Sequence, residues 1–271
     1  MSDIIMSNYC RTLLLNGVML LFGGMDVVRG ATVISLRPDG TGTGNGDAFV
    51  TTGSATTDLS GNNYGGAGSI GVSAALANGS FASLLRFDVS TAKASLDGTY
   101  GVGGWTIDSI GLQLTTTNAN NGIFNANHTG TFDVSLISST TWVEGTGNPN
   151  IPTTTGVKWT EFAGLTSGAE ALGAFSIASV TDGTTATYTL TPTSSLLYDV
   201  LNGGVASLAL TADSADNAVS AQFNSRNFTG TASRRPALII TASATPEPGR
   251  ALLLMAGAVC VAWRRRKPIT L

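Results

Sequence analysis

Phe81-Ala82-Ser83-Leu84-Leu85-Arg86-Phe87-Asp88-Val89 is the stretch that decides the fold class. Apolar residues alternate there with small or polar ones. That period of two is the signature of a strand with one face on a core and one toward solvent. The same alternation returns at Ile107 to Thr115, Thr131 to Ile137, Thr187 to Leu190, Val205 to Thr211, Val219 to Phe223 and Ala237 to Thr241. Turn-forming clusters separate the runs: 40–46, 61–68, 118–130, 145–152 and Asp182-Gly183. Ser194 to Asn202 is the one stretch that reads as a helix, with Ser194 as its cap and Gly203-Gly204 as its stop. An all-β body follows.

Composition agrees with this. Of the 271 residues only 11% are charged, 42% are hydrophobic and 34 are glycine. A helical enzyme would be richer in Glu, Lys and Leu, and a disordered chain poorer in apolar runs. The net charge of −3 conceals an asymmetry. Between Ala31 and Thr245 there are fourteen acidic and seven basic side chains, so the body is near −7 and the basic residues crowd the ends. An acidic body lacks the cationic footprint that phosphate recognition needs, which excludes nucleic acid as a partner. Both cysteines, Cys10 and Cys260, lie in the apolar end segments, so the body is held by packing and strand ladders alone.

The ends have their own logic. At the N-terminus Arg11 precedes the apolar run Leu13 to Gly24, and small residues follow at Gly30 and Ala31. The run fits a signal peptide and is short for a membrane span. Residues 1–31 are therefore expected to be an export signal, starting at Met1 or Met6. The C-terminus reads Pro246-Glu247-Pro248, then an apolar run from Ala251 to Trp263, then Arg264-Arg265-Arg266-Lys267. The prolines keep the chain extended. The apolar run partitions into hydrocarbon, and the arginines stop it on the cytoplasmic side.

This three-part tail over 245–267 resembles the PEP-CTERM sorting signal of Gram-negative bacteria. The resemblance implies a protein exported across the inner membrane and handled by an exosortase-type protease. It would then be membrane-anchored, on the cell surface, or in the extracellular matrix. The tail would be an apolar helix with Pro246, Glu247 and Pro248 as the sorting motif and Arg264, Arg265 and Arg266 as the membrane stop.

Within the body, spaced motifs follow one another: Asp47-Ala48-Phe49-Val50, Asn63-Tyr64-Gly65, Leu84 to Asp88, Trp142-Val143-Glu144-Gly145, Phe223-Asn224-Ser225-Arg226 and Arg235-Pro236-Ala237-Leu238. Their order resembles the DNRLRE-type β-sandwich domain of bacterial surface proteins and polysaccharide-acting enzymes. Asn227 departs from it, standing where that family often has an acidic residue. The resemblance implies a jelly-roll-like antiparallel β-sandwich over 32–243. It also implies an extracellular polysaccharide as partner, with Trp142, Tyr64 and Glu144 as candidate ligand-binding residues. The two aromatics read more readily as core or rim groups than as sugar platforms. Arg86, mid-strand, needs a partner, and Asp88 and Glu144 are the candidates.

Little else in the chain points to catalysis. The single histidine, His128, lies in an Asn-rich stretch without a nucleophile elbow. The glycine-rich 40–46 lacks the Lys-Ser/Thr of a phosphate loop. The best carboxylate pair for a glycoside hydrolase is Glu144 and Glu161, each two residues after a tryptophan. No cofactor is expected beyond a structural calcium, for which Asp39, Asp47, Asp213 and Asp216 are candidate ligands. The expected function is that of an exported, non-catalytic surface or matrix protein that binds or is embedded in polysaccharide. A purely structural envelope role and a polysaccharide-acting enzyme are the alternatives.

Overall fold

The stretch Phe81–Asp88 lies in a strand, Gly79–Asp88, that is buried along almost its whole length. Burial on both faces departs from the expected alternation, and packing explains it. Leu85 and Phe87 point into the main core, while Ala82 and Leu84 enter a second apolar cluster on the opposite face.

The computed structural model describes residues 30–39, 44–76, 79–117 and 128–245. Thr32–Ala242 make up one compact unit. In chain order its elements are β1 (Thr32–Leu36), β2 (Gly46–Thr51), β3 (Gly53–Ser54), β4 (Thr57–Asp58), β5 (Ser69–Leu76), β6 (Gly79–Asp88), α1 (Ser90–Tyr100), β7 (Trp105–Thr115) and β8 (His128–Leu136). There follow α2 (Trp159–Leu165), β9 (Glu170–Val180), β10 (Thr185–Thr189), α3 (Ser194–Asn202), β11 (Val205–Ala212), β12 (Ser220–Asn224), a 3₁₀ turn (Ala232–Arg234) and β13 (Ala237–Ala244).

One sheet has four strands in the order β1-β13-β7-β10. The larger has the order β11-β6-β5-β12-β8-β9, with β2 also on β6. The pairings between named strands are antiparallel, for example Leu208↔Leu85 between β11 and β6. Pairing of β11 with β8 closes β11, β6, β5, β12 and β8 into a ring of five strands. The ring leaves β2 and β9, each with one partner strand, as the edges of this sheet.

The main core lies between the two sheets. Ile110, Leu112 and Leu114 of β7 and Leu238 and Ile240 of β13 share it with Ile70, Val72, Phe132, Val134, Leu208 and Phe223 of the larger sheet. Phe132 meets Tyr188 edge to face, with centroids 5.1 Å apart, the arrangement that ring quadrupoles favour.

The all-β, antiparallel expectation therefore holds, but the single helix of the body is corrected to three among the described residues. The terminal segments 1–29 and 246–271, which include the sorting motif, the membrane stop and the expected C-terminal helix, lie outside the described residues. Among the described residues no helix is long and apolar enough to cross a membrane.

Candidate functional site

Five of the six spaced motifs meet at one place. Asp47 comes from the start of β2, Arg86 from β6, Trp142 and Glu144 from the loop after β8, Asn63 from the loop before β5, and Arg226 from the residues after β12.

Arg86 is only 5% exposed. Its Nη1 donates to the carbonyls of Thr140 at 2.9 Å and Trp142 at 2.7 Å. Its guanidinium carbon sits 4.5 Å from the centroid of the Trp142 ring. Backbone carbonyls and a π face thus replace the carboxylate that the sequence led us to expect. Asp88 goes elsewhere, accepting from the Ser90 amide at 2.9 Å. Glu144 does lie close enough for its charge to act on Arg86, but its ion pair is with Arg226 Nη1 at 3.1 Å.

Asp47 is almost fully buried and accepts from the Arg226 amide at 2.6 Å through Oδ2. Its own amide donates to Glu144 Oε1 at 3.3 Å. Burial pushes the Asp47 carboxyl well above the usual range, outweighing the Arg226 amide and charge. Burial also raises Glu144, despite the ion pair. Desolvation winning over pairing is the usual outcome for a buried carboxylate.

Asn63 ties this hub together. Its Nδ2 donates to the carbonyls of Glu144 at 2.6 Å and Val157 at 2.9 Å. Its Oδ1 accepts from the amides of Gly65 and Gly147, both at 3.2 Å. Two donors and two acceptor lone pairs are all used. The loops approach so closely that a Cβ on Gly65 would collide with the Glu144 carbonyl, and one on Gly145, which has φ of +79°, with Asn63 Oδ1. Asn227, the departure from the family pattern, donates to the Gly65 carbonyl at 2.8 Å.

The hub is a structural knot, and this corrects the ligand-binding expectation for Trp142 and Tyr64. Trp142 is 6% exposed and its Nε1 donates to Ser207 Oγ at 2.9 Å. Tyr64 is 4% exposed and stacks on Phe49 with centroids 4.6 Å apart. Buried rings offer no face to a sugar. The candidate calcium ligands also separate. Asp39 pairs with Arg235 at 3.2 Å, Asp47 lies in the hub, and Asp213 and Asp216 sit in the loop after β11. Among the described residues no group of three or more His, Cys, Asp or Glu is placed to hold a metal. The proposed carboxylate pair is divided as well: Glu144 belongs to the hub, while Glu161 is exposed and pairs with Lys158 at 3.1 Å.

A cleft of about 260 Å³ lies on the body surface. Trp159 and Phe162 of α2 line it, together with Asp213, Ser214, Asp216 and Asn217 of the loop after β11 and residues 73–74 and 80–82 of β5 and β6. The Trp159 and Phe162 rings stack at 5.7 Å with 17° between planes. Trp159 is half-buried and keeps part of its surface accessible. Sequence reasoning passed over this wall, although the i, i+3 spacing of Trp159 and Phe162 puts both rings on one side of a helix.

No family model and no curated protein matches the chain.

Proposed function

We propose that this chain is an exported, non-catalytic surface or matrix protein that binds, or sits embedded in, extracellular polysaccharide. The 245–267 tail is its sorting and anchoring label, processed by an exosortase-type protease. The body is a jelly-roll-like sandwich of the DNRLRE type. The observation that supports the body reading is the convergence of Asp47, Asn63, Arg86, Trp142, Glu144 and Arg226 on one buried hub. Residues scattered over 47–226 act as a single lock. Support for the tail is the sequence Pro246-Glu247-Pro248, apolar run, Arg264-Arg265-Arg266. Both carboxylates of the rival enzyme reading are already engaged by cations.

The test is expression of the full chain in a Gram-negative host with and without an exosortase-type protease. The expected result is protease-dependent appearance of the body at the surface or in the medium, with a shortened C-terminus by mass spectrometry. Replacement of Pro246, Glu247 and Pro248 by alanine should abolish the processing. Recovery from the cytosol with both ends intact would sink the proposal.

A purely structural envelope role is the second reading, favoured by the burial of Trp142 and Tyr64. Pull-down of the host exopolysaccharide by the purified chain separates the two.

A further inference from the structure

We infer that the cleft between α2 and the loop after β11 is a saccharide site that takes one non-acidic pyranose unit of a polymer. This rests on the polysaccharide-binding half of the reading above.

Three observations carry it. The first is the wall. Trp142 and Tyr64 are closed off, whereas Trp159 is half-buried and faces a recess. An aromatic face packs against the C–H face of a sugar ring, and the Phe162 ring stacked against it holds Trp159 in place. The helix is anchored by Thr160, whose amide donates to the Ser60 carbonyl at 3.3 Å.

The second is the polar part of the lining, whose aspartates are held by backbone hydrogen bonds. Asp213 Oδ1 accepts from the Ala215 amide at 2.7 Å. Asp216 accepts from the Ala218 amide at 2.8 Å and, across the strands, from the Thr131 amide at 2.6 Å. Ser214, Asn217 and Ser80 add polar groups to the lining, while the Ser73 hydroxyl is buried and donates to the Ala74 carbonyl. Hydroxyls, an amide and carboxylates facing an aromatic suit a polyhydroxylated ring with one apolar face. A ligand meeting an ordered loop loses less entropy on binding.

The third is size and charge. At about 260 Å³ the cleft falls just below the roughly 300 Å³ at which pockets for drug-sized ligands begin, so it admits one ring rather than a folded oligomer. Two aspartates are the charged residues lining it, among the described residues. A uronic acid would meet like charge, while a neutral or amino sugar would not.

The test is calorimetric titration of the purified full chain, in mild detergent, with three hexasaccharides: a glucose oligomer, a glucosamine oligomer and a mannuronate oligomer. The first two should bind and the third should not. Trp159→Ala removes the wall, and Ser214→Trp blocks the mouth from an exposed loop position. Each should weaken binding by about tenfold or more with an unchanged unfolding midpoint. Should Trp159→Ala unfold, Ser214→Trp decides alone. Binding that survives Ser214→Trp overturns the cleft and leaves the polysaccharide function standing. Tighter binding of the mannuronate oligomer overturns the charge selection. If the wild-type chain binds none of the three hexasaccharides but retains host exopolysaccharide, the cleft assignment falls. If it retains neither, both readings fall.

Discussion

Asp47 and Glu144 hold their protons more tightly in the folded chain than in the unfolded one, because burial removes water from the charged forms. A raised folded pKa contributes stability that is fully present below the ordinary carboxylate range, about 4. That contribution is lost as pH rises through the raised value. The melting temperature of the full chain should therefore gain from these groups as pH falls from about 7 to about 5. Asp47→Asn, which is neutral at every pH, should flatten that slope in a series of thermal melts; a slope identical to wild type would refute the assignment. At Asn63 the whole hydrogen-bonding capacity of the side chain is spent on backbone. Asn63→Ala leaves buried carbonyls and amides unpaired and should cost about 3 kcal/mol in urea unfolding. Asn63 was legible only as part of a motif, since three of its four partners lie more than eighty residues away.

Among the elements, α3 shows what local signals can tell. Leu196 and Val200 face the core four residues apart, and Gly203 closes the helix in the left-handed region at φ 68°. The cap is Thr193 rather than Ser194: its Oγ1 accepts from the Leu196 amide at 3.3 Å. Thr193→Ala should lower stability by about 1 kcal/mol, read from the chemical-unfolding midpoint, with Ser194→Ala close to neutral. Two helices escaped the sequence reading. In α1 only Ala92 and Leu96 are buried, and its Ser, Thr and Gly content resembles a turn. The seven residues of α2 make barely two turns. The strands β5 and β9 were missed as well, because Gly71, Gly173 and runs of Ala and Ser blur the alternation. At Gly173 the backbone adopts φ of 144°, next to a register shift between β8 and β9.

On the scale of the whole body, the first and last strands among the described residues pair with each other, from Thr32↔Ala242 to Leu36↔Leu238. Arg37 reinforces this join by donating through Nη1 to the Arg235 carbonyl. Because β1 is the outermost strand of its sheet, its removal would bare a row of unpaired groups along β13. Deletion of 32–36 should produce dimers or larger species in size-exclusion chromatography, where the intact chain runs as the smaller species. A deletion variant that elutes like the intact chain would show that β13 tolerates exposure.

Local sequence determined the class of this protein. Period-two runs, glycine-rich turns and a cysteine-free acidic middle specify antiparallel strands, and the order of the tail depends on neighbours alone. The tertiary structure decided everything that depends on distant residues meeting. It placed Trp142 and Tyr64 inside, settled Arg86 on carbonyls and a ring, closed five strands into a ring, and brought Trp159 and the 213–217 loop to one cleft. The physical reason is that periodicity reports which face of a strand is apolar, but not what covers the other face. That cover comes from loops and helices whose position is fixed by packing far along the chain.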